Sequence, residues 1–164
     1  MTPIRVNLVA GHKDTGEPVL EEVLVSRLAD GDYRLLVTPG LVLGVAAGDT
    51  ISVDEESHLH ALVARGGNIA VHVYGNAASV LSVADDIRAL GGWHDGGLKE
   101  VLTVYTVPYR DGFRALEAIL NGLVHSDPAI EWYYGNVYAA DEVTPLRWWD
   151  EDATATTGQN VPSG

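Results

Sequence analysis

The chain has 164 residues, 46% of them hydrophobic, with a net charge of −13 at pH 7 and a sequence pI near 4.6. That length holds one domain, or two small lobes packed together around a buried core. That charge opposes binding to nucleic-acid phosphates and to anionic membranes, and it favours a basic protein partner.

Aromatic residues make up 7%, and Phe113 is the one phenylalanine, so the core is expected to rest on Val, Leu, Ile and Ala. Cysteine is absent, which excludes disulfides, thiolate catalysis and cysteine-based zinc sites. Met1 to Arg5 shows no basic stretch leading into an apolar run, and no apolar run approaches ~18 residues. These features predict a soluble, cytoplasmic protein that binds neither nucleic acid nor membrane. No motif asks for a cofactor.

In chain order, residues 4–9 alternate as a first strand, and the loop from Gly11 to Pro18 follows. Residues 19–28 form a second strand. Asp30-Gly31-Asp32 signals a hairpin turn, and a third strand covers 33–37. Pro39-Gly40 breaks it. An apolar segment, Leu41 to Asp49, ends in a Gly-Asp turn. Short strands are expected over 50–53 and 58–64. Five strands in this space suggest a small, partly open, SH3-like β-barrel lobe over 1–66.

Arg65-Gly66-Gly67-Asn68 marks the boundary, too short for a free linker. Beyond it the order reads strand (69–74), helix (77–90), strands, helix (112–124) and strand (130–138). That order is the signature of a ferredoxin-like split β-α-β lobe over 67–140, giving an α+β chain overall. Asn76 is placed to cap the first helix and Gly91-Gly92 to stop it. Trp93-His94 is a short strand, Asp95-Gly96-Gly97 a turn, and 98–107 a long strand. Asp111 is the expected cap of the second helix, whose stripe is Phe113, Leu116, Ile119, Leu120 and Leu123. Residues 141–152 are an acidic, aromatic extension. Residues 153–164 have the composition of a disordered tail.

Asp30-Gly31-Asp32-Tyr33-Arg34-Leu35, then Gly44-Val45-Ala46-Ala47-Gly48-Asp49-Thr50-Ile51, resembles the bacterial family known as domain of unknown function 4265. The later strand–helix pairs, closing on Glu131-Trp132-Tyr133-Tyr134-Gly135, are similar to it as well. The resemblance covers roughly residues 4–138. It implies a bacterial, cytoplasmic, two-lobed protein and carries no activity or site residues with it.

Two sites compete. Trp132, Tyr134 and Tyr138 share one face of the last strand, and Trp148-Trp149-Asp150-Glu151-Asp152 follows. Aromatics ringed by acids suit an interface with a basic protein; against this, the same rings serve to pack a helix and pin the tail. His58 and His60 form H-x-H on a predicted strand. Alternation there puts both rings on one face about 7 Å apart, a spacing a metal can use with a third ligand. His72 is expected to be exposed or satisfied by a neighbour. Asp85-Asp86 and Glu55-Glu56 read as solvated charge. Tyr105 and Val107 lie on a central strand without the aromatic-basic pattern of RNA binders. The leading expectation is a non-enzymatic binding or regulatory protein, in one form an immunity-like antidote to a basic toxin. The other is a small metal-dependent or metal-binding protein. Self-association through the edge of the last strand is a third possibility.

Overall fold

Alternating apolar residues build the first sheet of the computed structural model, which describes residues 2–98 and 101–150. Strands β1 (Pro3–His12), β2 (Pro18–Arg27), β3 (Tyr33–Leu35), β4 (Thr50–Val53) and β5 (His60–Ala64) pair in chain order, all antiparallel. Leu8, Val23, Val25, Tyr33, Leu35 and Ile51 point inward and pack with Val42 and Val45 from the loop between β3 and β4. The Asp30 carboxylate accepts from the Asp32 N–H at 3.0 Å and Gly31 takes a positive φ, as the hairpin signal requires. The sheet curls far enough for Val9 N–H to reach the His58 carbonyl at 3.0 Å. It does not close: among the described residues β1 and β5 remain its two ends, and the expected barrel is an open sheet.

The second sheet follows from β6 (Asn68–Tyr74), β7 (Trp93–Leu98), β8 (Leu102–Pro108) and β9 (Glu131–Tyr134), in the order β7-β8-β6-β9, again all antiparallel. Asn76 caps the first helical stretch by accepting from the Ala78 and Ser79 N–H groups at 2.9 and 3.3 Å. That stretch is not one helix. It runs as α1 (Ala77–Val80), a 3-10 turn (Leu81–Val83) and α2 (Ala84–Ala89). The Tyr105 hydroxyl, from the sheet, takes the Val80 carbonyl and the nearby Ser82 hydroxyl takes that of Ser79, so side-chain bonds compete with the helical ladder. Gly91 and Gly92 then donate to Arg88 and Ile87, the bond pair of a Schellman stop.

Three other expectations change. Asp95-Gly96-Gly97 lies inside β7, bulged between His94 and Gly96. A Cβ on Gly97 would sit 1.9 Å from the Leu102 carbonyl oxygen, so this glycine serves close strand approach and not a turn. Helix α3 (Arg114–Ser126) starts later than expected, with Phe113 at its N-cap and no side-chain cap bond. The last strand stops at Tyr134. Beyond it the Gly135 carbonyl turns to the Gly44 N–H at 2.7 Å, and the buried Asn136 side chain continues the ladder instead. That amide accepts from Ala70 N–H at 2.9 Å and donates to the Asn68 carbonyl at 2.8 Å.

Helices α1, α2 and α3 cover one face of this sheet, over Ile69, Val71, Val73, Tyr105 and Val107, with Leu116, Leu120 and Leu123 of α3 buried against it. The opposite face bears Ala70, His72, Val104 and Thr106, which are buried too. The loop over 36–49 covers them. The two sheets therefore pack through a loop, with a few short hydrogen bonds in place of a third helix layer. No helix among the described residues is long and apolar enough to cross a membrane. The tail over 153–164 lies outside the described residues.

Two glycines test this packing. A Cβ on Gly66 would lie 2.3 Å from the Gly48 carbonyl carbon, whereas Gly122 in α3 is exposed with no neighbour within 4 Å. Gly66→Ala should therefore cost about 2 kcal/mol or more. Gly122→Ala should gain about 0.5–1 kcal/mol. Urea unfolding of both variants measures the two signs.

Candidate functional site: an aromatic and acidic groove at a sheet edge

The loop over 36–49 sets the position of everything around the site. Glu21 on β2 receives the N–H groups of Gly40, Leu41 and Val42 at 2.7, 2.8 and 2.9 Å, so one carboxylate gathers the start of the loop. Asp49, fully buried, gathers the end through Ala46 N–H at 3.0 Å and Gly66 N–H at 2.8 Å. Burial pushes the Asp49 pKa up; these N–H bonds and Arg65 oppose the shift. Between the two carboxylates, polar side chains of the second sheet seize the loop. Ala47 N–H donates to the Thr38 hydroxyl at 2.9 Å. Thr38 and Thr106 hydroxyls meet at 2.6 Å, and Thr106 donates on to Asp95. Since the Thr106 proton goes to the carboxylate, Thr38 is the donor to Thr106. Trp93 Nε1 fills the other oxygen of Asp95 at 2.8 Å.

His72 is the second anchor. Of the two expected states, exposed or satisfied by a neighbour, it takes the second: it is buried, and its Nε2 lies 2.9 Å from the Pro39 carbonyl oxygen. A carbonyl can only accept, so Nε2 carries the proton. Arg65 completes the seam. Its guanidinium donates to the Gly44 carbonyl at 2.7 Å, pairs with Asp49 at 3.4 Å and lies 5.8 Å from the Trp148 ring centroid.

Where the loop ends its cover, a broad groove of ≈ 1280 Å³ opens along β9. Strand β9 is the edge of its sheet, and residues from both of its faces line the groove. Gly135 N–H bonds inward to the Ala70 carbonyl. Alternation then turns the peptide groups of Glu131 and Tyr133 inward and those of Trp132 and Tyr134 outward, toward the groove. On the helix side, Tyr134 donates its hydroxyl to Glu117 at 2.7 Å and Trp132 Nε1 donates to Asn121 at 3.2 Å. On the opposite side, Tyr133 donates to Glu131 at 2.5 Å and meets Tyr74 edge-on at 6.0 Å. Burial and the Glu117 carboxylate push the Tyr134 phenol far up, and Glu131 pushes Tyr133 up, so both stay neutral donors. Leu43, Tyr138 and Glu142 complete the walls. Three carboxylates line the groove, and the one cation among its lining residues, Arg65, already faces Asp49.

The structure sorts the residues singled out in the sequence. Trp132, Tyr134 and Tyr138 come together in the groove, with Tyr138 tilted against Tyr134 at 6.5 Å. Tyr138 lies beyond the strand that was to carry it. Trp148 is 3% exposed and donates to the Asn136 carbonyl at 2.9 Å, so its ring is a packing element. Trp149 is half-buried against Phe113 and Tyr109 at 5.0 and 5.9 Å. Asp150 pairs with Arg147 at 2.7 Å. Glu151 and Asp152 lie outside the described residues. His58 is not on a strand: it has a φ of 62° in the turn before β5, so alternation does not align it with His60. No group of three or more metal-ligating side chains occurs among the described residues. Tyr105 and Val107 face the helices and are buried, out of reach of a base. Sequence reasoning missed Glu117, Asn121, Leu43 and Tyr74. The spacing of four between Glu117 and Asn121 puts both on one face of α3, and that signal was available.

The family model described as "Domain of unknown function (DUF4265)" matches residues 21–132, more than half of the chain. The chain belongs to this family. The match runs from the carboxylate that holds the loop to the start of the groove. A crystal structure of a hypothetical protein from Neisseria gonorrhoeae is similar in fold, with a TM-score of 0.60 and 13% identity, covering 82% of this chain and 95% of that one. A search of curated proteins gives no match.

The seam also carries a pH dependence. Burial lowers the His72 pKa below its ordinary 6.5, with the Pro39 carbonyl and Glu21 opposing. Below that value the unfolded chain takes up a proton that the folded chain refuses, so stability falls as pH falls. His60 is shifted the same way by burial. Urea unfolding between pH ~7.5 and ~5.5 should therefore show a loss on acidification that is reduced, but not abolished, in His72→Gln.

Proposed function

We propose that the protein is a binding or regulatory protein that receives a basic, extended segment of a partner protein in the groove along β9. One observation carries this: the groove joins an open strand edge to Trp132, Tyr133, Tyr134 and Tyr138, and lines it with Glu117, Glu131 and Glu142. A segment added to a sheet edge gains main-chain hydrogen bonds, and its alternate side chains find pockets on the two faces. The outward peptide groups of Trp132 and Tyr134 offer the former. The aromatic walls and carboxylates suit arginine and lysine side chains, whose stems pack on rings while their charged heads meet acids. The groove also exceeds the usual volume of small-molecule sites, which fits a stretch of polypeptide. The net charge of −13 steers a basic partner toward the protein from a distance. An antidote that covers the basic surface of a toxin in the bacterial cytoplasm is the specific form we favour.

The finer architecture belongs to the same proposal. The antiparallel order β7-β8-β6-β9 with α1, α2 and α3 on one face supports a ferredoxin-like lobe. The curled five-strand meander supports an SH3-like sheet opened along one side.

A labelled peptide alternating arginine with valine, and its glutamate counterpart, test the groove by fluorescence anisotropy. The arginine peptide should bind, more weakly as salt rises, and the glutamate peptide should not. Glu131→Lys with Glu142→Lys, and separately Tyr133→Ala, should weaken binding at least ~10-fold. Absence of binding by the arginine peptide, or binding indifferent to all three changes, would refute the proposal.

A further inference from the structure

Each sheet ends in two edges, and a free edge pairs with other strands unless something blunts it. Three of the four edges here are blunted along their length, whereas β5 is obstructed only at its ends, by the Val9 N–H on the His58 carbonyl before it and by the register shift at Val63. β1 carries Pro3, Arg5 and a bulge between Val9 and Gly11. β7 is bulged between His94 and Gly96 around the Asp95 carboxylate. β9 is four residues long, and Glu131 on it with Glu142 beside it closes it to another acidic chain while leaving it open to a basic segment. The fourth edge, β5, reads His60-Ala61-Leu62-Val63-Ala64. It contains no charge, no proline and no glycine. Leu62 is 41% exposed and Val63 53%, on opposite faces of the strand.

The backbone of β5 is also arranged for pairing. Asp54 N–H donates to the Leu59 carbonyl at 2.9 Å. Alternation along the β4–β5 ladder then turns the peptide groups of Leu59 and Ala61 into the sheet, and those of His60 and Leu62 out from it. The register shift opposite Thr50 and Ile51 leaves Val63 as the extra residue, beyond this regular part.

We infer that β5 is a homodimer interface, in which two copies pair their β5 strands antiparallel about a twofold axis through Ala61. In that register His60 faces Leu62 of the second copy, and four main-chain hydrogen bonds form from outward groups alone. Ala61 meets its own copy in a non-hydrogen-bonded pair with Cα atoms about 4.5 Å apart. The choice of a second copy follows from charge. A twofold interface sets a patch against itself, and on a chain of net charge −13 a charge-free strip avoids like-charge contact where much of the surface does not. The β9 groove, acidic and aromatic, lies on the other sheet and stays free for its own partner.

Sedimentation equilibrium of the full chain should give twice the 17.5 kDa chain mass, falling toward one chain on dilution. Leu62→Lys should shift the dimer to monomer by at least ~10-fold in dissociation constant while keeping the wild-type circular dichroism. Because the chain has no cysteine, Ala61→Cys introduces a single thiol. On oxidation it should cross-link two copies far faster than Leu43→Cys, a control exposed on the other sheet's groove. If Leu62→Lys fails to fold, the cross-linking comparison decides alone. A single-chain mass for the wild type at every concentration, a dimer unmoved by Leu62→Lys, or cross-linking of Ala61→Cys no faster than the control would each overturn the inference.

Discussion

Asp49 has no exposed surface, yet its carboxylate holds the N–H groups of Ala46 and Gly66 and faces the Arg65 guanidinium at 3.4 Å. Those three partners come from the covering loop and from the three-residue connection between the sheets, residues 65–67. A buried carboxylate survives only where its oxygens are satisfied, and removing one partner of such a pair costs about 3–5 kcal/mol. The constraint propagates. It sets the contact of Gly48 with Gly66, holds the loop over β6 and β8, and aims Arg65 at Gly44 and Trp148. Gly44 in turn holds the end of the β9 segment by donating its N–H to the Gly135 carbonyl. The groove therefore inherits its position from a side chain that takes no part in it.

Antiparallel sheets often leave one face in water, and the pattern then alternates. Here β6 and β8 are buried on both faces, and their sequences say so: Ile69-Ala70-Val71-His72-Val73 and Leu102-Thr103-Val104-Tyr105-Thr106-Val107 run without an exposed polar partner. The polar residues in those runs, His72, Thr103 and Thr106, are buried, and His72 and Thr106 bond the loop. Polar groups confined to such a seam fix which loop lies where, a role that apolar packing alone performs less selectively.

Features governed by neighbours in sequence were legible. The Asn76 cap, the Gly91-Gly92 stop, the Asp30-Gly31-Asp32 turn and the stripe of α3 each depend on a few adjacent residues. Features that depend on distant contacts were not. The Tyr105 hydroxyl, 25 positions away, takes the Val80 carbonyl where the first helix gives way to a 3-10 turn. Gly97 looked like part of a turn because sequence does not display the Leu102 carbonyl that crowds it. His58 reads as strand, but the Asp54 carboxylate caps the Glu56 and Ser57 N–H groups and forms the turn that excludes it. Trp132, Tyr134 and Tyr138 lie together in the groove, but Tyr138 reaches it from beyond the strand that alternation assigned to it. For Trp148 and Trp149 the sequence leaves an interface and a pinned tail both open, because docking onto Asn136 and Phe113 leaves no periodic trace; the structure packs both rings.

The two sheets behave as one body locked at Asp49. Native-state hydrogen exchange at the Ala46 and Gly66 amides reads that lock directly, since both donate to its carboxylate. The prediction is exchange only through global unfolding, with the same free energy and denaturant dependence as the central amides of β6 and β8. Exchange of Ala46 and Gly66 through a smaller opening, while β6 and β8 stay protected, would contradict it.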